Sequence, residues 1–262
     1  MICPTNNCDF FLIDHLVPAA GAVLVLWIFI SPLKSMRKVQ YEMTLADVNP
    51  LPSTMIMCNS MAWFLYGLFL KDFYISGPNV VGITLGLYYT LIVYRFADNV
   101  ICRRIKVLGL VWMSIIFTIT LISFIWIDDT INQNIVLGVL CNCTLLCFYI
   151  SPLSELYHVI KTENAASFSI SLTCASFFAA LLWSIYGMVL NNLFVTFSNT
   201  IGAVIGIIQL ICIVIYKQEA TNSGLFGLGV QLNVSDYYDA VEGQEPEAEA
   251  LLNNSRIALE DV

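Results

Sequence analysis

The pattern Trp-x-x-Tyr-Gly, followed by Asn-x-x-Gly-x-x-x-Gly, occurs twice in the chain. It runs through Trp63, Tyr66, Gly67, Asn79, Gly82 and Gly86, and returns at Trp183, Tyr186, Gly187, Asn199, Gly202 and Gly206, each position displaced by 120 residues. Upstream, Ser31-Pro32-Leu33 recurs as Ser151-Pro152-Leu153 in the same register. A gapless duplication of this length requires a fold built from two like units. Whatever one unit cannot bury alone must be buried against the other.

The solvent of that fold follows from composition. With 58% hydrophobic and 11% charged residues and a mean hydropathy of +0.79, the chain has too little polar surface to cover a soluble globule. Seven apolar stretches are long enough to cross about 30 Å of hydrocarbon. They lie near residues 11–33, 52–70, 73–95, 105–127, 133–156, 169–190 and 193–216. None alternates apolar and polar residues at period two, so the spans are expected to be helices and not barrel strands. The first is too long for a signal peptide and has no basic segment before it, so it is expected to be retained.

Basic residues set the expected orientation. Lys34, Arg37 and Lys38 follow the first span, Arg95, Arg103, Arg104 and Lys106 separate the third and fourth, Lys161 follows the fifth and Lys217 the seventh. The opposite connections hold Lys71, Asp128 and Asp129. The positive-inside rule then puts the amino terminus outside and the carboxyl tail in the cytoplasm. The net charge of −8 reflects a tail rich in acid, including Asp236, Asp239, Glu242, Glu245, Glu247, Glu249, Glu260 and Asp261. The membrane body is close to neutral, and no basic patch suits nucleic acid.

A three-span unit that starts outside ends inside, so a second unit of the same orientation needs one extra crossing. The fourth span, with Trp112 and Trp126 near its ends and no counterpart elsewhere, is expected to be that linker. The sequence therefore predicts an all-α integral membrane protein: two parallel three-helix repeats over 11–95 and 133–216, a linker helix over 105–127, and a disordered acidic tail over 217–262.

Within each repeat the notable residues are few. Pro32 removes a backbone hydrogen bond near the end of span one, so a bend is expected there, and the connection from Lys34 to Leu51 reads as polar. Asn79 shares a helical face with Gly82 and Gly86, a small-residue stripe suited to close helix packing. A single asparagine there would read equally as interhelical glue; its recurrence as Asn199 favours function. Gln209 adds a polar group below Asn199. Cys141, Cys143 and Cys147 have no histidine nearby and read as packing residues. Cys3 and Cys8 are placed where a disulfide is permitted, and Cys102 is a palmitoylation candidate on the cytoplasmic side. In the tail, Glu247-x-x-x-Leu251-Leu252 and Tyr238-x-x-Val241 match sorting-signal patterns that adaptors would read.

Two Trp and two Asn brought together across a pseudo-two-fold axis are expected to line a site near the midplane, where repeat-built transporters bind substrate. An indole offers a flat apolar face to the C–H side of a sugar ring, and an amide offers donors and an acceptor to hydroxyls. None of these groups is charged, which suits a neutral polyhydroxylated solute better than a zwitterion. Ion-coupled carriers hold ionisable groups within the membrane; here Glu155 and Asp72 read as lying near span ends, so movement without a coupling ion is expected. There is no nucleophile, base and orienter set for catalysis. No cofactor or metal is implied.

The repeats, the Ser-Pro-Leu motifs, the paired W-x-x-Y-G segments and the Asn opening each N-x-x-G stretch together resemble the SWEET sugar facilitators, over residues 11–217. The resemblance implies a three-plus-one-plus-three fold, alternating access, and bidirectional movement of hexose or sucrose. It places the substrate pocket on Trp63, Asn79, Trp183 and Asn199, with hinges and an inner gate at Pro32, Pro52 and Pro152. The family's fourth proline falls on Ser169. Its outer gate pairs a tyrosine with an aspartate, here Tyr66 with Asn192, an uncharged and hence weaker contact. Many members carry a smaller residue at Trp63; two facing indoles leave less room, which favours a monosaccharide. The partners implied are a mono- or disaccharide and the lipid bilayer. The plasma membrane is the expected residence, with an endolysosomal or vacuolar membrane as alternative, and a homo-oligomer stays open. Two other readings also stay open: a PQ-loop-type carrier of amino acids or other small solutes, though Leu33 and Leu153 stand where its Gln would be, and a seven-helix receptor, which the duplication disfavours.

Overall fold

The computed structural model describes residues 12–45 and 48–216. Cys3, Cys8, Lys217 and the tail patterns lie outside them. A π-helical turn, Leu12–Leu16, leads into α1 (Val17–Ile30) and α2 (Leu33–Glu42). These are followed by α3 (Leu51–Leu70), α4 (Phe73–Phe96), α5 (Asn99–Trp126), α6 (Thr130–Thr162), α7 (Ile170–Val189) and α8 (Leu193–Ile215). Among the described residues, seven helical segments are long and apolar enough to cross a membrane, the first being Asp14–Glu42.

Three boundaries differ from the sequence reading. The connection after span one is largely helical, because α2 buries Met36 and Val39 against Tyr89, Ile92 and Val93 of α4, and that spacing gives it one apolar stripe. The fourth span, α5, begins at Asn99, where the Asp98 side chain accepts from Ile101 N; the charges of Arg103, Arg104 and Lys106 hid a start that this cap defines. The fifth span, α6, runs on to Thr162, with Glu155 buried inside it instead of lying at its end.

The duplication is visible in the backbone itself. All four left-handed non-glycine residues among those described form two pairs at the offset of 120: Met43 (φ 58°) with Glu163 (φ 50°), and Lys71 (φ 57°) with Asn191 (φ 50°). Side chains at paired positions differ, so it is the fold and not residue type that imposes the conformation.

Packing repeats as well. In the first unit α4 lies against both α1 and α3; in the second, α8 lies against both α6 and α7. Close approach is made possible by glycine. A Cβ on Gly67 would stand 2.6 Å from Ser76 N, and one on Gly187 2.6 Å from Thr196 N. The two units then meet crosswise, α1 on α7 and α3 on α6. The linker α5 rests on α3, α4 and α6 and mostly faces outward. The core between the units gathers Cys58, Ala62, Trp63, Tyr66, Leu140, Cys141, Trp183 and Tyr186.

Gly67→Ala and Gly187→Ala should each lower stability by about 1–3 kcal/mol, since the added carbon meets backbone and not a flexible side chain. Gly77→Ala is the control: its Cβ would meet only the tip of Phe73, at 3.3 Å, a side chain that is exposed, so no loss is expected. Thermal unfolding in detergent checks this. Equal melting of all three variants would contradict the packing.

Candidate functional site

The candidate site is built from the second and third helices of each unit. Asp72 caps α4 by accepting from Tyr74 N at 2.8 Å and Ile75 N at 3.2 Å through Oδ1. Asn192 caps α8 the same way, accepting from Phe194 N at 3.0 Å and Val195 N at 3.2 Å. Each cap fixes where its helix starts, and so the depth of Asn79 and Asn199, seven residues on. That is about 10 Å from the turn at 1.5 Å per residue; Trp63 and Trp183, eight residues before Lys71 and Asn191, lie at about 12 Å. All four residues therefore lie at similar depth in their helices.

Trp63 and Trp183 are 7% and 8% exposed and occupy the core between the units. Each stands edge-on to the tyrosine three residues ahead, Trp63–Tyr66 at 5.8 Å and 72°, Trp183–Tyr186 at 5.8 Å and 74°. The Trp183 Nε1 donor is buried without a partner, directly over Gly21 of α1, where a Cβ would stand 3.1 Å away. Asn79 and Asn199 are half-buried. Each donates one amide N–H back along its own helix, Asn79 to Ile75 O at 2.7 Å and Asn199 to Val195 O at 2.8 Å. The second N–H and the Oδ1 acceptor of each stay unpaired within the described residues. No hydrogen bond joins these amides to each other or to an indole.

At the short-turn end, the end carrying Lys71–Asp72 and Asn191–Asn192, hydrogen bonds join the halves. Tyr186 donates to Asp72 Oδ2 at 2.7 Å. Asn192 Nδ2 donates to the Tyr66 hydroxyl at 2.7 Å, and that hydroxyl donates to Asn134 Oδ1 of α6 at 2.8 Å. Tyr74 packs edge-on against Tyr186 and its hydroxyl meets His15 Nδ1 at 3.1 Å.

The proline positions are unequal. Pro32 interrupts the first span between α1 and α2, and Ser31 Oγ donates at 2.8 Å to Ile28 O, the carbonyl that the proline leaves without its N–H. Pro152 sits inside an unbroken α6. Pro52 lies in the first turn of α3, where a missing N–H costs nothing. Ser169 instead caps α7, accepting from Leu172 N at 3.4 Å.

The sequence model of a family described as "Sugar efflux transporter for intercellular exchange" matches residues 15–100 and 135–221, the two repeats. The chain belongs to this family, the SWEETs. It is similar to "Sugar transporter SWEET1" of Drosophila pseudoobscura pseudoobscura, 27% identical over 79% of this chain and 91% of that protein. It is also similar to "Bidirectional sugar transporter SWEET5" of Arabidopsis thaliana, 25% identical over 77% of this chain and 85% of that one. A solved structure of a eukaryotic SWEET transporter has the same fold, with a TM-score of 0.72 at 20% identity, covering 80% of this chain and 99% of that one.

Several polar groups of this SWEET chain went unnoticed in the sequence. Asn59, one turn before Trp63, accepts from Thr144 Oγ1 of α6 at 3.3 Å. Tyr149, at the place of Phe29, donates to Ser198 O at 3.3 Å, beside Asn199. The Tyr186–Asp72 bond could have been found by applying the offset of 120 to Tyr66 and Asn192. Asn134 carried no motif.

Asp72 both caps α4 and joins the halves, and these roles separate by substitution. Asp72→Asn retains a capping oxygen but gives the Tyr186 proton no acceptor; Asp72→Ala loses the cap as well. The alanine variant should therefore be less stable than the asparagine variant by about 0.5–2 kcal/mol, measured as unfolding midpoints. Equal midpoints would show that the cap contributes nothing.

Proposed function

We propose that this SWEET chain carries sugar across the membrane by facilitated, bidirectional movement, with the short-turn end extracellular and the carboxyl tail cytoplasmic. The observation that carries the reading is the matched pair of indoles and amides at one depth in the two halves, with unpaired hydrogen-bonding groups facing no protein partner. A sugar ring between Trp63 and Trp183 would cover both apolar faces, and its hydroxyls would satisfy Asn79, Asn199 and the Trp183 N–H. The names of the relatives support sugar as the solute class. Two indoles in the core favour a hexose over sucrose.

Access would alternate as the halves rock about the site. The cross-half tyrosine bonds close the extracellular side, and bending at Pro32 and Pro152, with pivoting at Pro52, opens and closes the other. Residence in the plasma membrane, self-association, and adaptor binding through the tail belong to the same proposal. The role is transport and not catalysis.

Uptake of labelled glucose and sucrose into proteoliposomes tests this reading. Wild-type protein should move glucose faster than sucrose, and Asn199→Ala should reduce glucose uptake by at least about tenfold, the loss of one or two hydrogen bonds to a buried site. Equal uptake by the two proteins would remove Asn199 from the site. An imposed proton or sodium gradient should leave the rate unchanged. Glu155 is the buried acid of α6 through which proton coupling would run, so Glu155→Gln is expected to leave that indifference as it is.

A further inference from the structure

We propose that Asn134 is a third member of the short-turn-end closure, required in this chain because residue 192 is asparagine. The inference rests on the transport reading only in calling the closure a gate.

Asn192 Oδ1 is committed to the backbone N–H groups of Phe194 and Val195. That fixes the amide: the atom left to face Tyr66 is Nδ2, a donor. The Tyr66 hydroxyl must therefore accept, which leaves its own proton in need of an acceptor. Tyr66 is fully buried, and an unsatisfied buried hydroxyl is costly. Asn134 Oδ1, at 2.8 Å, is the acceptor.

The other half shows what happens without this need. Asp72 caps α4 through Oδ1 in the same way, but its remaining atom is the acceptor Oδ2, and Tyr186 donates straight to it. No third residue is needed there. Position 14 is the equivalent of position 134 at the offset of 120, and among the described residues no hydrogen bond joins Asp14 to Tyr186. The hydrogen bonds at the two corners thus run in opposite directions, tyrosine donating to residue 72 and accepting from residue 192. Only the second corner has a relay, Asn192 to Tyr66 to Asn134, which pulls α8, α3 and α6 together at one hydroxyl.

The test reads accessibility and not sugar movement, so its failure is distinct from failure of the transport proposal. Cys58 and Cys141 are buried in the core between the halves, below Tyr66 and Asn134. In purified protein in detergent, where a hydrophilic maleimide reaches both ends whichever faces outward, the alkylation rate of these cysteines, identified by peptide mass spectrometry, reports opening, and the difference between variants reports the short-turn end. Asn134→Leu should raise the labelling rate roughly fivefold, the loss of about one hydrogen bond, and Asn134→Asp, which keeps an acceptor, should restore it. In Asn192→Asp, where the Tyr66 proton has a direct acceptor, Asn134→Leu should have no effect. It should also be silent in Tyr66→Phe, where there is no proton to place. Wild-type labelling in Asn134→Leu would overturn the proposal, and so would an equal increase in all three backgrounds, which would mark Asn134 as a packing residue only.

Discussion

Residues 72 and 192 each bind two things with one short side chain, and the rest of the site is positioned by that double use. One oxygen caps the third helix of its own half; the remaining atom reaches a tyrosine of the other half. Because the cap fixes the side chain, the second atom is aimed before the halves meet, and little rotamer freedom is lost when they do. The start of α4 or α8 and the join between the halves are thus one feature. The close approaches of Gly67 to Ser76 and of Gly187 to Thr196 then set the height of α3 and α7 against those same first turns. The tyrosines sit one residue before these glycines and the tryptophans four before, so the height that serves the join also sets the level of the indoles.

A duplicated framework makes the differences between copies informative. The backbone repeats as far as its left-handed residues, yet the chemistry on it does not. The first span is interrupted at Pro32 and the fifth passes Pro152 unbroken. A proline opens α3, and a serine cap opens α7. A carboxylate holds one tyrosine and an amide the other. Bending is therefore easier in the first half, where the helix is already broken and Ser31 has taken over the freed carbonyl. In the proposed cycle the first half would flex, with the second as the stiffer reference.

Much of this could be read from the sequence, for identifiable reasons. Span number and helical character follow from hydropathy, because lipid admits few alternatives. The duplication follows from Trp, Tyr, Gly and Asn at fixed spacing. The start of α5 is less legible, because Arg103, Arg104 and Lys106 put three charges near its beginning while a cap at Asp98 still begins the helix there; α2 is hard to read because its buried apolar stripe is two residues wide, Met36 and Val39. Partners across the halves were the hardest. Tyr66 to Asn134 spans 68 residues and Thr144 to Asn59 spans 85, and nothing local marks either amide as different from any other polar residue in a span. Only positions tied by the repeat, such as Tyr186 and Asp72, could be found without coordinates.

Polar groups along the spans separate into those the protein satisfies and those it leaves. Thr84, Thr90, Thr196, Ser198 and Thr200 donate to carbonyls four residues back, which is how a hydroxyl is tolerated in a membrane helix. Asn142 gives its N–H groups to Gly138 O and Phe194 O, tying α6 to α8, and so behaves as glue. Asn79 and Asn199 do not follow that pattern: each makes one bond, within its own helix, and binds no neighbour. Trp183 keeps its N–H unpaired while nearly all of the ring is covered. An unpaired buried donor costs about 1–3 kcal/mol; Trp183 bears that cost, while the two equivalent amides are half-buried and keep their free groups open. Packing alone would be served better by Leu or Phe at all three positions. A solute carrying several hydroxyls removes the penalty when it binds, whereas an apolar solute of the same size leaves it in place, so the unpaired groups would discriminate by chemistry where the indoles discriminate by shape.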